Sequence, residues 1–127
     1  MKGVDKYAEL YEHVKFAQQW EEDGGPVILI NIFHVKPEHG DKSIEAWAAD
    51  AAYFKQQPGY ISTQLHKGIG GSGTFLNYAV WESKKYKEAF NKYTSSEVQS
   101  KLLKYPDSAS MSPHLFKKVA VTDICTT

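Results

Sequence analysis

Residues 75–83, F-L-N-Y-A-V-W-E-S, predict a β-strand whose two faces differ. Successive side chains of a strand point to opposite sides of the sheet, so Asn77 and Trp81 share one side with apolar neighbours. Burying an unpaired amide costs about 1–3 kcal/mol. Asn77 therefore needs hydrogen-bond partners or a ligand at a position that otherwise belongs to the core.

A second strand, predicted over residues 27–35 (V-I-L-I-N-I-F-H-V), carries the same kind of interruption. Asn31 lies on an apolar face that also holds Phe33. Either asparagine alone is explained by capping of backbone groups at a strand bulge, and Trp81 alone by a place in the core. Together the two asparagines and the tryptophan predict a pocket that orients a flat, partly polar molecule.

Composition narrows the classes of function. The 127 residues make one domain, and 15 basic residues balance 15 acidic ones, so no strong field favours nucleic acid or an anionic membrane surface. The 13% aromatic content favours an aromatic-lined cavity. A single cysteine, Cys125, excludes a disulfide within the chain and indicates a reducing compartment. Residues 1–20 lack the apolar core of a signal peptide, and no apolar run approaches the ~20 residues of a membrane span, so we expect a cytoplasmic protein.

The clearest break in the chain is G-G-P at residues 24–26. Residues 1–26 are predicted to form a helical arm and linker, because apolar residues recur at helical spacing over residues 7–20. This amphipathic helix must dock on its own domain or on a second subunit. Residues 27–127 are predicted to form the main domain.

Helix and strand patterns alternate through the main domain. A helix capped by Asp41 carries an apolar stripe made of Ile44, Trp47, Ala48, Ala51 and Phe54. Strands are predicted over residues 60–67 and 115–122. A helix capped by Ser83 turns inward the side chains of Tyr86, Ala89, Phe90 and Tyr93. A capping box at residues 94–97 opens one more helix, which reaches residue 102. The order β-α-β-β-α-(α)-β is the ferredoxin-like arrangement, an α+β fold.

The first predicted strand of this domain also indicates how the protein assembles. Ile28, Ile30 and Ile32 lie on the face opposite Asn31. In a four-stranded sheet with helices on one side, these isoleucines would form a large exposed apolar patch, which soluble monomers avoid. We therefore expect a homodimer in which a second sheet packs on this open face.

Four segments together resemble the antibiotic biosynthesis monooxygenase (ABM) family of the dimeric α+β barrel superfamily. They are V-I-L-I-N-I-F-H-V-K-P-E, Q-P-G-Y-I-S-T-Q-L-H, F-L-N-Y-A-V-W-E-S and S-P-H-L-F-K-K-V-A-V, which occur in this order within residues 27–121. The resemblance implies a ferredoxin-like domain that pairs into a dimeric α+β barrel.

The resemblance also implies an activity and a set of site residues. Quinone-forming members of the family oxidise a phenol, anthrone or quinol-like aromatic with dioxygen and need no metal, flavin or haem. Their strand asparagines and tryptophan match Asn31, Asn77 and Trp81, the expected catalytic residues. The expected substrate-binding residues are Phe33, Trp47, Phe54, Tyr86, Phe90, His66 and Lys101. Among these, Tyr86 and Lys101 are loose counterparts of a tyrosine and a basic residue in those enzymes.

Two other functions fit the same residues. A non-catalytic dimer that binds a small hydrophobe, or acts in a stress response, would use the same cavity. The haem-degrading branch of the family shares the first-strand asparagine, but no histidine lies between His66 and His114, where its haem ligand would fall. His66 itself is either a base or, more simply, a structural or dimer-interface residue.

The remaining motifs do not predict a cofactor or metal site. The glycines of residues 68–73 satisfy G-x-G-x-x-G, yet they join two strands instead of a strand and a helix, so they indicate a hairpin loop. His34 and His39 lack companions at metal-ligand spacing.

Overall fold

A five-stranded sheet with the strand order β1-β5-β2-β4-β3 forms the base of this computed structural model, which describes residues 6–20 and 25–127. The strands are β1 (Lys6–Tyr7), β2 (Pro26–His34), β3 (Tyr60–Lys67), β4 (Thr74–Glu82) and β5 (Ser110–Phe116). The helices are α1 (Phe16–Gln19), α2 (Gly40–Lys55), α3 (Ser83–Tyr93) and α4 (Ser96–Gln99), and a short 3₁₀ turn at Pro37–His39 leads into α2. Part of the predicted arm and linker, including Gly24, lies outside the described residues.

The sheet confirms the predicted ferredoxin-like arrangement. β2 and β3 each pair antiparallel with β4, and β5 pairs antiparallel with the other side of β2. β1 adds a short parallel pairing at the outer edge of β5. Within this ladder Asn31 of β2 lies directly opposite Asn77 of β4 on one side and Pro113 of β5 on the other.

Helices α2 and α3 cover one face of the sheet, where two apolar clusters form. The first cluster comprises Phe33, Val35, Ala46, Phe75, Tyr105, Ala109 and Met111. The second is richer in aromatic rings and comprises Phe16, Val27, Ala79, Trp81, Tyr86, Ala89, Phe90 and Tyr93. The inward side chains predicted for α3 are therefore confirmed.

The helix predicted over residues 7–20 is wrong in extent. Only Phe16–Gln19 is helical, and Leu10, Tyr11 and Val14 are 41–53% exposed. The chain here extends the sheet instead, because the Ala8 amide donates to the Met111 carbonyl at 3.0 Å. Phe16 is inserted into the aromatic cluster and Trp20 packs against it, whereas Leu10, Tyr11 and Val14 do not, so the apolar spacing does not mark one helix face.

The predicted strand over residues 115–122 is displaced in the structure. β5 begins five residues earlier, at Ser110, and ends at Phe116. Pro113 precedes the predicted strand in the sequence but lies inside β5, with its side chain fully buried. Proline is tolerated in a strand where the ladder does not require its N–H.

Three helix starts also differ from the prediction. α2 begins at Gly40 after the 3₁₀ turn, so Asp41 lies inside the helix and is not its N-cap. The N-cap position of α3 is Glu82, and Ser83 is the first residue of that helix. The Ser95 hydroxyl caps α4, where it accepts from the Val98 amide at 3.4 Å. Only four residues of α4 are helical.

No helix in the described part of the chain is long and apolar enough to cross a membrane.

Candidate active site

A cavity opens between the sheet and helices α2 and α3, where the two apolar clusters meet. The cavity volume is about 60 Å³. Its apolar walls include Leu29, Trp47, Phe54, Trp81, Tyr86 and Phe90. Its polar groups include Asn31, Asn77, Thr63 and Asp50. A narrow apolar space with a few polar groups suits a flat, partly polar molecule.

Asn77 is held in one orientation by its neighbour on β3. The Thr63 hydroxyl donates a 2.6 Å hydrogen bond to Asn77 Oδ1. With its oxygen engaged, the side chain has its amide N–H groups to offer to a ligand. Asn77 is therefore placed as a hydrogen-bond donor to an oxygen atom in the cavity.

Asn31 is buried and has an unsatisfied oxygen. Its Nδ2 donates only to Met111 Sδ, at 3.5 Å, which is a weak acceptor. Its Oδ1 has no hydrogen-bond partner within the described chain. Because Asn31 and Asn77 are direct cross-strand neighbours, their Cβ atoms lie about 5 Å apart and both amides reach the same end of the cavity.

Trp81 forms one wall of the cavity within a group of edge-packed rings. Its ring centroid lies 5.7 Å from that of Phe54, 5.5 Å from Tyr60 and 5.4 Å from Tyr86, with interplanar angles of 75–87°. These contacts fix the indole, which is 2% exposed. A flat ligand would meet a rigid aromatic surface here.

Asp50 is a polar residue of the cavity that the sequence interpretation missed. It is buried in the middle of α2, and its Oδ2 accepts hydrogen bonds from the hydroxyls of Tyr93 (2.9 Å) and Tyr105 (3.1 Å). Burial raises the pKa of Asp50 from 3.8 to about 6, and the two hydrogen bonds oppose that shift. Burial, and secondly the Asp50 carboxylate, raise the pKa values of both tyrosines well above their usual range.

The helical periodicity of the α2 sequence could have predicted that Asp50 is buried. The buried face of α2 contains Ser43, Ala46 and Asp50, with Trp47 beside them, whereas Ile44 and Ala48 are exposed. The predicted stripe was thus rotated by about one position, because only apolar residues were counted. An acidic residue three positions after Trp47 is on the buried face.

Most of the predicted site residues lie around this cavity. Those that line it are Asn31, Asn77, Trp81, Trp47, Phe54, Tyr86 and Phe90. Phe33 lies beside it on the same side of the sheet, stacked on Phe75 with 5.1 Å between ring centroids in the first cluster. Phe33 is fully buried and is a core residue in this chain.

His66 and Lys101 lie away from the cavity. His66 is opposite Leu76 in the ladder, which places its exposed side chain on the other face of the sheet, with Nδ1 3.3 Å from the Leu76 carbonyl. Lys101 follows α4, and its exposed ammonium lies 4.0 Å from Glu97. Alternation along β3 and the solvent-facing side of the α4 turn explain why neither reaches the asparagines.

Residues suited to hold a metal do not converge anywhere in the described ranges, 6–20 and 25–127. No group of three or more histidine, cysteine, aspartate or glutamate side chains is close enough to bind an ion there. The described residues that line the cavity include no histidine.

The fold and this site define an α+β ferredoxin-like domain with an aromatic cavity on the helix side of its sheet. The profile of the antibiotic biosynthesis monooxygenase family matches residues 26–104, which is more than half of the chain. The chain therefore belongs to the ABM family. No functionally curated protein matches the sequence significantly.

Solved structures agree with this assignment. A candidate monooxygenase from Shewanella loihica PV-4 is 31% identical, with a TM-score of 0.62, and the match covers 76% of this chain and 97% of that one. SnoaB, a cofactor-independent oxygenase from Streptomyces nogalater, is 19% identical with a TM-score of 0.54 over 79% and 99% of the two chains. A candidate ABM protein from Bordetella bronchiseptica is also 19% identical, with a TM-score of 0.58 over 76% and 100%. The latter two show the fold alone.

Proposed function

We propose that this protein is a cofactor-independent monooxygenase that oxidises a small flat aromatic, of the phenol, anthrone or quinol type, with dioxygen. One observation carries the proposal: two asparagine amides lie side by side at the end of an aromatic cavity, and each has hydrogen-bonding capacity left for a ligand. Membership of the ABM family and the 31% identity to a candidate monooxygenase from Shewanella loihica PV-4 support a monooxygenase activity.

The site supplies what such a reaction needs from a protein. An electron-rich aromatic anion reduces dioxygen, and the resulting peroxide loses water, so that a CH₂ group and O₂ become C=O and H₂O. The amide N–H of Asn77 would stabilise the negative oxygen that forms on the substrate, as an oxyanion hole does. Trp81 and the rings packed around it would hold the substrate plane and exclude water.

Asn31 would make the proposed reaction selective for hydroxylated substrates. Its unsatisfied Oδ1 accepts a hydrogen bond, so the preferred substrate carries a hydroxyl beside the reacting position. An aromatic without that hydroxyl would leave the buried oxygen unpaired, at a cost of about 1–3 kcal/mol. A hydroxyanthrone or a hydroquinone meets this requirement, whereas an unsubstituted hydrocarbon does not.

The assembly belongs to the same proposal. Ile28, Ile30 and Ile32 lie on the sheet face away from the cavity, together with Tyr78 and Phe116, which are 37% and 39% exposed in the single chain. Contrary to the sequence expectation of three exposed isoleucines, Ile28 is already buried in the single chain, and Ile30 and Ile32 are half-buried. A second copy packed on this face would form the homodimeric barrel. The dimer would cover the apolar surface without closing the cavity, which opens on the other side.

Oxygen consumption by metal-depleted protein tests the activity. The probes are anthrone, 1,8-dihydroxyanthrone and 1,4-dihydroxynaphthalene, each corrected for its oxidation without protein. We expect stoichiometric O₂ uptake and quinone formation that persist in EDTA, fastest with a hydroxylated probe. Saturable binding of the probes with no O₂ uptake above background would instead support the non-catalytic small-hydrophobe-binding protein.

A further inference from the structure

The proposed reaction begins with loss of a proton from the substrate, and neither asparagine accepts a proton at neutral pH. Asp50 is the only charged side chain among the described residues that line the cavity. It lies in the interior of α2 on the face that also carries Trp47 and Ala51. A buried carboxylate destabilises the folded state unless hydrogen bonds or nearby charges stabilise it, so its presence in this cavity indicates a functional role.

The hydrogen bonds of Asp50 leave one oxygen for a ligand. Tyr93 from α3 and Tyr105 from the segment before β5 both donate to Oδ2. No hydrogen bond in the described chain engages Oδ1, and the residue is part of the cavity lining. The carboxyl is therefore anchored from one side by two elements and offers its second oxygen to the cavity.

We propose that Asp50 is the general base of this site, which takes the proton from the aromatic substrate and later returns it to the peroxide. This inference rests on the proposed monooxygenase function. Tyr93 and Tyr105 are positioning residues in it, because they act on the carboxylate and not on the substrate.

The proton and electrons balance over the cycle. Oδ1 of the carboxylate removes a proton from the C–H or O–H bond of the substrate, and the bonding pair stays on the aromatic system. That pair reduces dioxygen and forms a C–O bond. The protonated Asp50 then gives its proton to the peroxide anion. Elimination of water produces the carbonyl and leaves Asp50 ionised for the next turnover.

The surroundings of Asp50 suit a group that both accepts and releases a proton. The titratable side chains that line the cavity with it are tyrosines, namely Tyr60 from β3, Tyr86 and Tyr93 from α3, and Tyr105 from the segment before β5. No lysine, arginine or histidine among the described lining residues holds the carboxylate permanently ionised. Burial raises the pKa of Asp50 to about 6, so the group is mostly ionised at neutral pH and close to the value at which a base is most effective.

Hydrogen exchange under anaerobic conditions isolates the proposed step from the oxygenation. Anthrone or 1,8-dihydroxyanthrone is incubated with the protein in D₂O under argon, and deuterium entry at the CH₂ position is followed by NMR. We expect the wild type to accelerate exchange, and Asp50→Asn to lose on the order of 10²-fold or more of that acceleration. Asp107→Asn, which neutralises an exposed carboxylate near Lys104, is the matched control and should exchange at the wild-type rate.

A pH profile provides a second measurement that does not require the asparagine variant to fold. The exchange rate should fall below pH about 6, where Asp50 becomes protonated. Tyr105→Phe removes one hydrogen bond that stabilises the carboxylate. The acidic limb of the profile, which is the fall in exchange rate at low pH, should therefore occur about one pH unit higher. Tyr11→Phe, at an exposed position, should leave the limb in place.

The outcomes separate this inference from the proposed function. Exchange that is no faster than in buffer, or that survives in Asp50→Asn, overturns the general base, and so does an acidic limb that Tyr105→Phe does not move. Normal oxygen uptake by Asp50→Asn would overturn the base and leave the monooxygenase intact. Fast exchange that depends on Asp50, without oxygen uptake, would support the base and overturn the oxygenase.

Discussion

The two faces of the sheet differ in the side chains that their central strands, β2 and β4, carry. On the helix side, Asn31 and Asn77 interrupt an otherwise apolar surface at the centre, and Asp50 faces them from α2. On the opposite side, Ile30 and Tyr78 occupy corresponding ladder positions, with apolar neighbours along β2 and β4. Both faces come from the same strands, so alternation alone separates them.

The difference indicates separate tasks for the two faces. A polar group in the middle of a core reduces stability unless it is satisfied, so its retention points to a ligand. The apolar side chains along β2 and β4 on the open face gain most when another protein surface covers them. Helix-side substitutions should therefore affect chemistry, and substitutions on the open face should affect assembly.

Loss of the Asn77 amide should have the largest effect on the helix side. Asn77→Ala removes the donor that Thr63 orients, so we expect kcat to fall on the order of 10²-fold with little change in KM. Steady-state oxygen uptake with the best hydroxylated probe measures both constants. Asn91→Ala, at an exposed position of α3, is the control and should retain wild-type kcat. An equal rise in KM with unchanged kcat would show that the amide only binds substrate.

Charge on the open face should break assembly and spare the cavity. Ile30→Lys places an ammonium where the partner sheet is proposed to pack, and we expect the dimer dissociation constant to rise about tenfold to 100-fold. Sedimentation equilibrium measures it. Ile44→Lys, on the outer side of α2, adds the same charge at a position 36% exposed and should leave the dimer intact. A wild-type protein that is monomeric at micromolar concentration would contradict the proposed interface.

Removing the buried carboxylate should stabilise the protein above pH 6. The folded pKa of Asp50, about 6, exceeds its ordinary value of 3.8, so the folded state binds more protons between these values. The unfolding free energy of the wild type therefore falls as pH rises through this window. Asp50→Asn lacks this loss and should be more stable by about 2 kcal/mol at pH 8, with the difference shrinking towards pH 4. Urea unfolding at both pH values tests the sign, and a destabilised variant at pH 8 would contradict it.

Changing the cavity wall should produce the smallest effect. Trp81→Phe keeps an aromatic ring against Phe54 and Tyr60 but reduces its area. We expect probe binding to weaken only a few-fold, about 1 kcal/mol, with kcat nearly unchanged. Equilibrium titration with 1,8-dihydroxyanthrone gives the dissociation constant. A loss of kcat as large as that of Asn77→Ala would assign the indole a role in the chemical step.

The order of helix and strand patterns was enough to predict the fold class, and alternation in β2 and β4 was enough to predict that Asn31 and Asn77 lie on the helix side of the sheet. Asn31 and Asn77 are polar residues at apolar strand positions, and strand periodicity places both on the helix side without knowledge of the register. The direct pairing of Asn31 with Asn77 could not be predicted, because register depends on loops and on packing of both faces. His66 was assigned to the site although its side chain points to the open face, since the bulge at the start of β3 was not visible in the sequence.

The helices were predicted less well because burial there is decided by tertiary partners. Asp50 is buried through hydrogen bonds to Tyr93 and Tyr105, residues 43 and 55 positions away. No local pattern links such distant groups. The arm over residues 7–20 failed for a related reason, since its apolar spacing fits a helix but its backbone hydrogen bond goes to β5.

Pro113 in β5 has a consequence for the fidelity of folding. It lies opposite Asn31 and has no N–H. Because a proline cannot donate a hydrogen bond to the neighbouring strand, only every second alignment of β5 against β2 avoids the loss of a ladder hydrogen bond. A slip by one residue would turn every β5 side chain to the other face and place the ring where a donor is needed. Pro113 thus disfavours a one-residue slip of β5 against β2, the strand that carries Asn31, while the chain folds.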